Sequence, residues 1–139
     1  MIRDVDGLTS ATLKHLRERW WDDAFTEFVK DTLQPRPGRR ILDVGCGIGT
    51  AEVKLSRLRL TQVDLVAVDL LTDRVVHAHA AARAHNINAH FASADACHLP
   101  FQNATFDSAF CVAVLQHIGD VRGAVKEMAP GARPNGRTG

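Results

Sequence analysis

Three glycines spaced by single residues, Gly45, Gly47 and Gly49 in "ILDVGCGIGT" (residues 41–50), follow Asp43 at the end of an apolar run. Bare backbone after a buried strand lets a ligand approach the main chain, and the start of a following helix offers free N–H groups. A tight turn without a ligand can use the same glycines, so the turn alone leaves both readings open. The spacing is G-x-G-x-G. A dinucleotide fingerprint needs its third glycine at position 50, which is Thr50 here, and this weighs against a nicotinamide-dependent dehydrogenase.

Two carboxylates extend the pattern. Asp69 ends the next β-type run, about 20 residues past the turn, where an acidic side chain can accept both hydroxyls of a ribose. It can also cap a helix, in competition with Thr72. Asp95, in "ASADACHLPF", follows the third run, within reach of an adenine amino group, or serves as a turn former. Glycines and acids at the carboxyl ends of successive strands mark the edge where open α/β sheets bind ligands. His117 follows the fourth run and is the candidate general base, since imidazole ordinarily titrates near neutrality; a cap or packing role is the alternative. His77 and His79 are two apart on an expected helix and do not share a face, which argues against a metal site. The remaining histidines read as solvated.

The elements that must hold these residues follow from periodicity. Strands are expected near 41–44, 64–68, 90–92 and 108–114, and helices near 50–59, 72–85 and from 121 to 129. That alternation predicts an α/β, Rossmann-like parallel sheet with helices on both faces. Upstream, Leu13, Leu16, Trp20, Ala24, Phe28 and Leu33 trace an amphipathic helix over 10–33, with Ser10 as a possible cap. "QPRPGRR" ends it, because proline removes a donor and biases its predecessor away from helix. "PGARPNGRTG" packs glycine and proline densely and reads as irregular. The organisation predicted is an N-terminal helical lid or cap (1–34), a core (35–129) and an irregular tail (130–139).

Composition bounds the partners. Of 139 residues, 45% are hydrophobic and 24% charged, enough for one globular core. The 17 basic and 16 acidic side chains nearly cancel, which gives no electrostatic case for nucleic acid or an anionic membrane. The longest apolar run is far short of the ~18 residues of a membrane helix, and "MIRDVDG" lacks the layout of a signal peptide, so the expectation is a cytoplasmic protein. Cys46, Cys97 and Cys111 show no CxxC spacing and read as free thiols.

"ILDVGCGIGT", "VAVDL", "ADACHLPF" and "FDSAFCVAVLQHI" together resemble, in order and spacing, the motifs of class I S-adenosylmethionine-dependent methyltransferases, in particular the small-molecule branch related to ubiquinone and sterol biosynthesis enzymes. The resemblance covers residues 41 to about 127. It implies S-adenosyl-L-methionine as cofactor, bound by the turn Gly45, Cys46, Gly47 and Gly49, with Asp43 helping to hold its amino group directly or through water. It further implies that Asp69 binds the ribose, Leu70 packs on the adenine, Asp95 takes the adenine amino group and the Ala96 N–H meets a ring nitrogen. Cys111 would offer its main-chain carbonyl to the cofactor's ammonium. The reaction implied is in-line methyl transfer to a small organic acceptor, in which alignment carries much of the rate. An N-terminal helix often serves such enzymes as a lid; Trp20 is read as docking that helix, whereas Trp21 could dock it or face the sulfonium.

The chain also departs from that pattern. Relatives continue to a Pro-Gly-Gly turn, a fifth strand and an antiparallel pair, whereas here "PNGR" (134–137) resembles the turn and Pro130-Gly131 should end the last helix early. The resemblance therefore implies a C-terminally truncated sheet stopping at its fourth strand. "SAFCVAVL" would then be an exposed edge, open to homodimer pairing, to cover by the N-terminal helix or tail, or to poor solubility. A second reading is a non-catalytic module that binds S-adenosylmethionine or S-adenosylhomocysteine and pairs with a partner through that edge.

Overall fold

The computed structural model describes residues 15, 19, 21–58, 62–102, 105–112 and 118–138. Its elements run α1 (Asp23–Leu33), β1 (Arg40–Val44), α2 (Thr50–Ser56), β2 (Asp64–Asp69), α3 (Thr72–Ala84), β3 (Ala89–Ser93), β4 (Phe106–Phe110), α4 (Val121–Gly131) and β5 (Ala132–Thr138). The strands form one parallel sheet in the order β3-β2-β1-β4-β5. From β1 the chain steps first to β2 and β3 on one side, then to β4 and β5 on the other. Such a reversal, here between β1 and β4, is where open α/β sheets bind ligands at the carboxyl ends of their strands.

Alternation along the strands feeds a core on each face. Ile41, Leu65 and Phe110 pack with Trp21, Val29 and Leu33 from the α1 segment and with Ala51 and Leu55 of α2. Leu42, Val44, Val68 and Ala109 pack with Leu99, Phe106 and Met128, the last from α4. Burial on both faces is what a parallel sheet demands, and it explains why β1 carries four buried residues in succession.

The N-terminal helix differs from its expected extent. His15 and Arg19 are helical, but Trp21 and Asp22 are not. Asp22 is extended, and its Oδ1 accepts the Phe25 N–H at 2.8 Å, so it caps a new helix. Ser10 and Trp20 lie outside the described residues. Trp21 is 1% exposed and its ring meets Phe25 edge-on at 4.8 Å, which makes it a docking residue of the core and not a lid aromatic. The Ser108 hydroxyl, also buried, donates to the Leu33 carbonyl at 3.2 Å and ties the end of α1 to β4.

The C-terminal segment corrects two expectations. Pro130 and Gly131 still end α4, but at residue 131, and 132–138 form a fifth strand in place of an irregular tail. β5 runs parallel to β4, with Ala132 opposite Phe106 and Thr138 opposite Ala109 and an irregularity between Phe106 and Ser108. β4 is therefore an interior strand: the expected open edge gives way to the alternative in which the tail covers it. An apolar strand left with unpaired N–H and C=O groups recruits whatever chain lies alongside, overriding weak local propensity. Pro134 is tolerated because β5 occupies the sheet's edge. Among the described residues, no helix is long and apolar enough to cross a membrane.

Candidate functional site

The glycine turn is built as its sequence requires. Gly45, Gly47 and Gly49 have φ of 79°, 56° and 88°, a region costly for side chains bearing a Cβ. The Gly45 and Cys46 N–H groups both donate to the Val68 carbonyl, at 2.7 and 2.9 Å, which seats the turn over the end of β2. Gly49 also packs two helices together. A Cβ there would stand 3.1 Å from Ala78 Cα and 3.2 Å from its Cβ, so the missing side chain lets α2 begin directly against α3. Cys46 is buried in a cluster with Ala67 and Ala78.

Asp69 joins the turn to the second strand. Its Oδ2 accepts the Gly47 N–H and its Oδ1 the Leu71 N–H, both at 2.9 Å. The helix-cap alternative is thus partly realised, since Leu71 is the N-cap of α3 and makes no side-chain cap of its own. Thr72 instead receives a hydrogen bond from Ser93, Oγ to Oγ1 at 3.1 Å. Each Asp69 oxygen keeps acceptor capacity, because a carboxylate oxygen has two lone pairs. Beside it Leu70 is 62% exposed, an apolar surface next to a polar clamp.

The loop after β3 holds Asp95 as a turn former. Oδ1 accepts the Cys97 N–H at 2.8 Å, the main-chain carbonyl accepts the His98 N–H at 2.9 Å, and Oδ2 lies 3.3 Å from His98 Nδ1. The Cys97 N–H, followed by His98, holds the carboxyl below its ordinary range, so it is ionised at neutral pH. The loop is fastened to α4 by Leu99 N–H on Glu127 Oε1 at 2.8 Å and by the Cys97 thiol on the Asp120 carbonyl at 3.5 Å. Ala96 is half-buried and packs on the apolar cluster beneath.

At the switch point, Asp43 is buried near the end of β1, opposite Phe110 of β4. Cys111 follows directly. Burial, with a smaller contribution from the Asp43 charge, pushes its thiol above the usual value, which favours the neutral form. His117 lies outside the described residues. Among the described residues no group of three or more His, Cys, Asp or Glu side chains is placed to hold a metal ion, and His79 sits tilted against the Phe91 ring.

Sequence reasoning brought Asp43, Gly45, Gly47, Asp69, Leu70, Asp95 and Cys111 to one edge, and the fold does place their segments at the carboxyl ends of β1, β2, β3 and β4. It missed His98 and Glu127. His98 carries a faint signal, being three residues from Asp95 within a turn. Glu127 carries none, since its partner is 28 residues away.

A family model described as a methyltransferase domain matches residues 41–136. The O-methyltransferase cnsE of Penicillium expansum is 34% identical, over 95% of this chain and 52% of its own length. The ubiquinone biosynthesis O-methyltransferase of Paracidovorax citrulli is 31% identical, over 96% of this chain and 60% of its own. Among solved structures, the YcgJ protein of Bacillus subtilis superposes with a TM-score of 0.76 at 28% identity, covering 84% of this chain and 49% of that one. The cyclase SpnF gives 0.74 at 27% identity, covering 82% and 42%. The chain thus spans about half the length of the curated relatives it matches.

Proposed function

Because this chain belongs to the methyltransferase domain family, we propose that it binds S-adenosyl-L-methionine at the carboxyl edge of its sheet and takes part in methyl transfer to a small organic acceptor. The observation that carries the reading is one carboxylate bridging two motifs. Asp69 accepts from Gly47 of the glycine turn and from Leu71 beside the exposed Leu70. A hydroxyl acceptor, a backbone turn and an apolar face thus adjoin, as a nucleoside with a polar tail requires.

In this proposal each residue has a role matched to its chemistry. Asp69 accepts the ribose hydroxyls, Leu70 packs on the base, Asp95 accepts from the base amino group and the Ala96 N–H donates to a ring nitrogen. Gly45, Cys46 and Gly47 present main chain to the amino-acid end, while Asp43 and the Cys111 carbonyl receive its ammonium. Bound there, the cofactor supplies an activated methyl group on a sulfonium. The chain's own part is alignment and exclusion of water, which needs no protein nucleophile. Where the acceptor is a hydroxyl, as the names of the O-methyltransferase relatives suggest, it must lose a proton, and His117 is the proposed base. The near-balanced charge favours a small molecule over nucleic acid or a membrane surface as partner, and the cytoplasm is the proposed setting.

The test is calorimetric titration with S-adenosylmethionine, S-adenosylhomocysteine and NADH, followed by an assay for demethylated cofactor with candidate acceptors. Micromolar binding of the sulfur compounds, no binding of NADH, and turnover with one acceptor are the expected results. Because one structural relative at similar identity is a cyclase, turnover has to be read directly. Absence of binding by the folded chain would overturn the proposal.

A further inference from the structure

The nucleobase end of the crevice contains a residue that no motif required. His98 is 84% exposed in its side chain, yet its Nδ1 points back to Asp95 Oδ2 at 3.3 Å while the Cys97 N–H holds Oδ1 at 2.8 Å. The main-chain carbonyl of Asp95 also receives the His98 N–H, and the two residues form an isolated antiparallel bridge. A carboxylate held by a single N–H can still swing about its Cβ–Cγ bond. A second donor on the other oxygen fixes its plane.

We propose that His98 is a positioning residue that locks the Asp95 carboxylate in one orientation, so that the site selects a 6-aminopurine nucleoside over a 6-oxopurine one. The inference rests on the reading of this crevice as a nucleoside site. An ionised carboxylate only accepts hydrogen bonds. With His98 on one lone pair of Oδ2, the other lone pair meets a 6-amino donor and repels a 6-oxo acceptor. A carboxylate free to rotate could turn aside from the oxo group, and discrimination would fall. The loop can hold this geometry because Leu99 and Cys97 fasten it to α4 through Glu127 and Asp120.

Calorimetric titration of the full chain and of the His98→Ala and His98→Asn variants with S-adenosylhomocysteine and S-inosylhomocysteine tests this. The two ligands differ at position 6, amino against oxo, and at N1, which accepts in the first and carries a proton in the second. The N1 difference is common to parent and variants, so the change in preference on substitution reads the role of His98. In His98→Ala the preference for the amino ligand should shrink about threefold to fivefold, the scale of one solvent-exposed pair, as the amino ligand binds less tightly and the oxo ligand is no longer held against a fixed carboxylate. His98→Asn, whose amide N–H takes the place of Nδ1–H, should restore most of it. Equal weakening of both ligands in His98→Ala, or an unchanged preference, overturns the positioning role while leaving the nucleoside site intact. Failure of the parent chain to bind S-adenosylhomocysteine overturns both the site and this inference.

Discussion

The two ends of the sheet use the same residue type for opposite purposes. At the amino end, Asp64 of β2 lies between Arg40 of β1, 3.2 Å from its Nε, and His90 of β3, 3.5 Å from its Nε2. Nearby, Asp107 of β4 accepts the Arg40 N–H at 2.8 Å. At the carboxyl end, Asp69 and Asp95 are gripped by main-chain N–H groups of Gly47, Leu71 and Cys97. An aspartate beside side-chain cations across neighbouring strands serves register. One gripped by turn N–H groups is placed by the turn and keeps lone pairs for something that arrives later. The difference teaches that the partner of a strand-end carboxylate, more than its presence, separates a binding edge from a structural one.

The sharpest way to break the contrast is Asp69→Ala. It strands the N–H groups of Gly47 and Leu71 and removes the proposed ribose acceptor, so two charge-assisted hydrogen bonds are lost at once. S-adenosylhomocysteine affinity should fall by about 100- to 1000-fold, or ~3–4 kcal/mol, measured by calorimetry with circular dichroism to verify folding. A loss of less than about threefold would place Asp69 with Asp64 as a structural acid, and the contrast between the two ends would disappear.

A smaller effect is expected where the carboxyl edge depends on backbone shape. Gly49→Ala puts a Cβ at φ 88° and within 3.1–3.3 Å of the Ala78 backbone and side chain. Strain and overpacking together should lower unfolding free energy by about 2 kcal/mol in urea denaturation. Ligand affinity measured on the remaining folded protein should change far less than in Asp69→Ala, because Gly49 packs helices. A large selective loss of affinity would return Gly49 to the ligand-facing role its motif position suggests.

How much of this was legible depends on how local each cause is. β1, β2, α3 and β3 were placed to within one or two residues, since strand alternation, glycine turns and caps are written in adjacent positions. The glycine turn and the acids at strand ends were legible for the same reason. The break at Trp21–Asp22 was missed because a continuous apolar stripe masks a capping aspartate. β5 was missed because "ARPNGRT" has no strand propensity of its own and pairs only because β4 lies beside it. Glu127 closing the β3–β4 loop belongs to the same class. A contact made between distant segments has no local pattern to read.

The amino end supplies the smallest expected effect. Asp64→Asn weakens the pairing with Arg40 and His90, all three side chains being more than a third exposed. Exposed pairs of this kind are worth about 0.5 kcal/mol or less, because solvent screens them and two long side chains must be held still. The backbone anchors at this end survive the substitution, since the Asp64 N–H still donates to the Arg39 carbonyl at 2.9 Å. Urea denaturation should therefore shift only slightly, and S-adenosylhomocysteine affinity should stay at the parent value, because the strands lie between this end and the crevice. A clear drop in affinity would mean that register set at the amino end is transmitted along β2 to Asp69. The two ends would then act as one mechanical unit, the amino-end charges setting where the carboxyl-end acids stand.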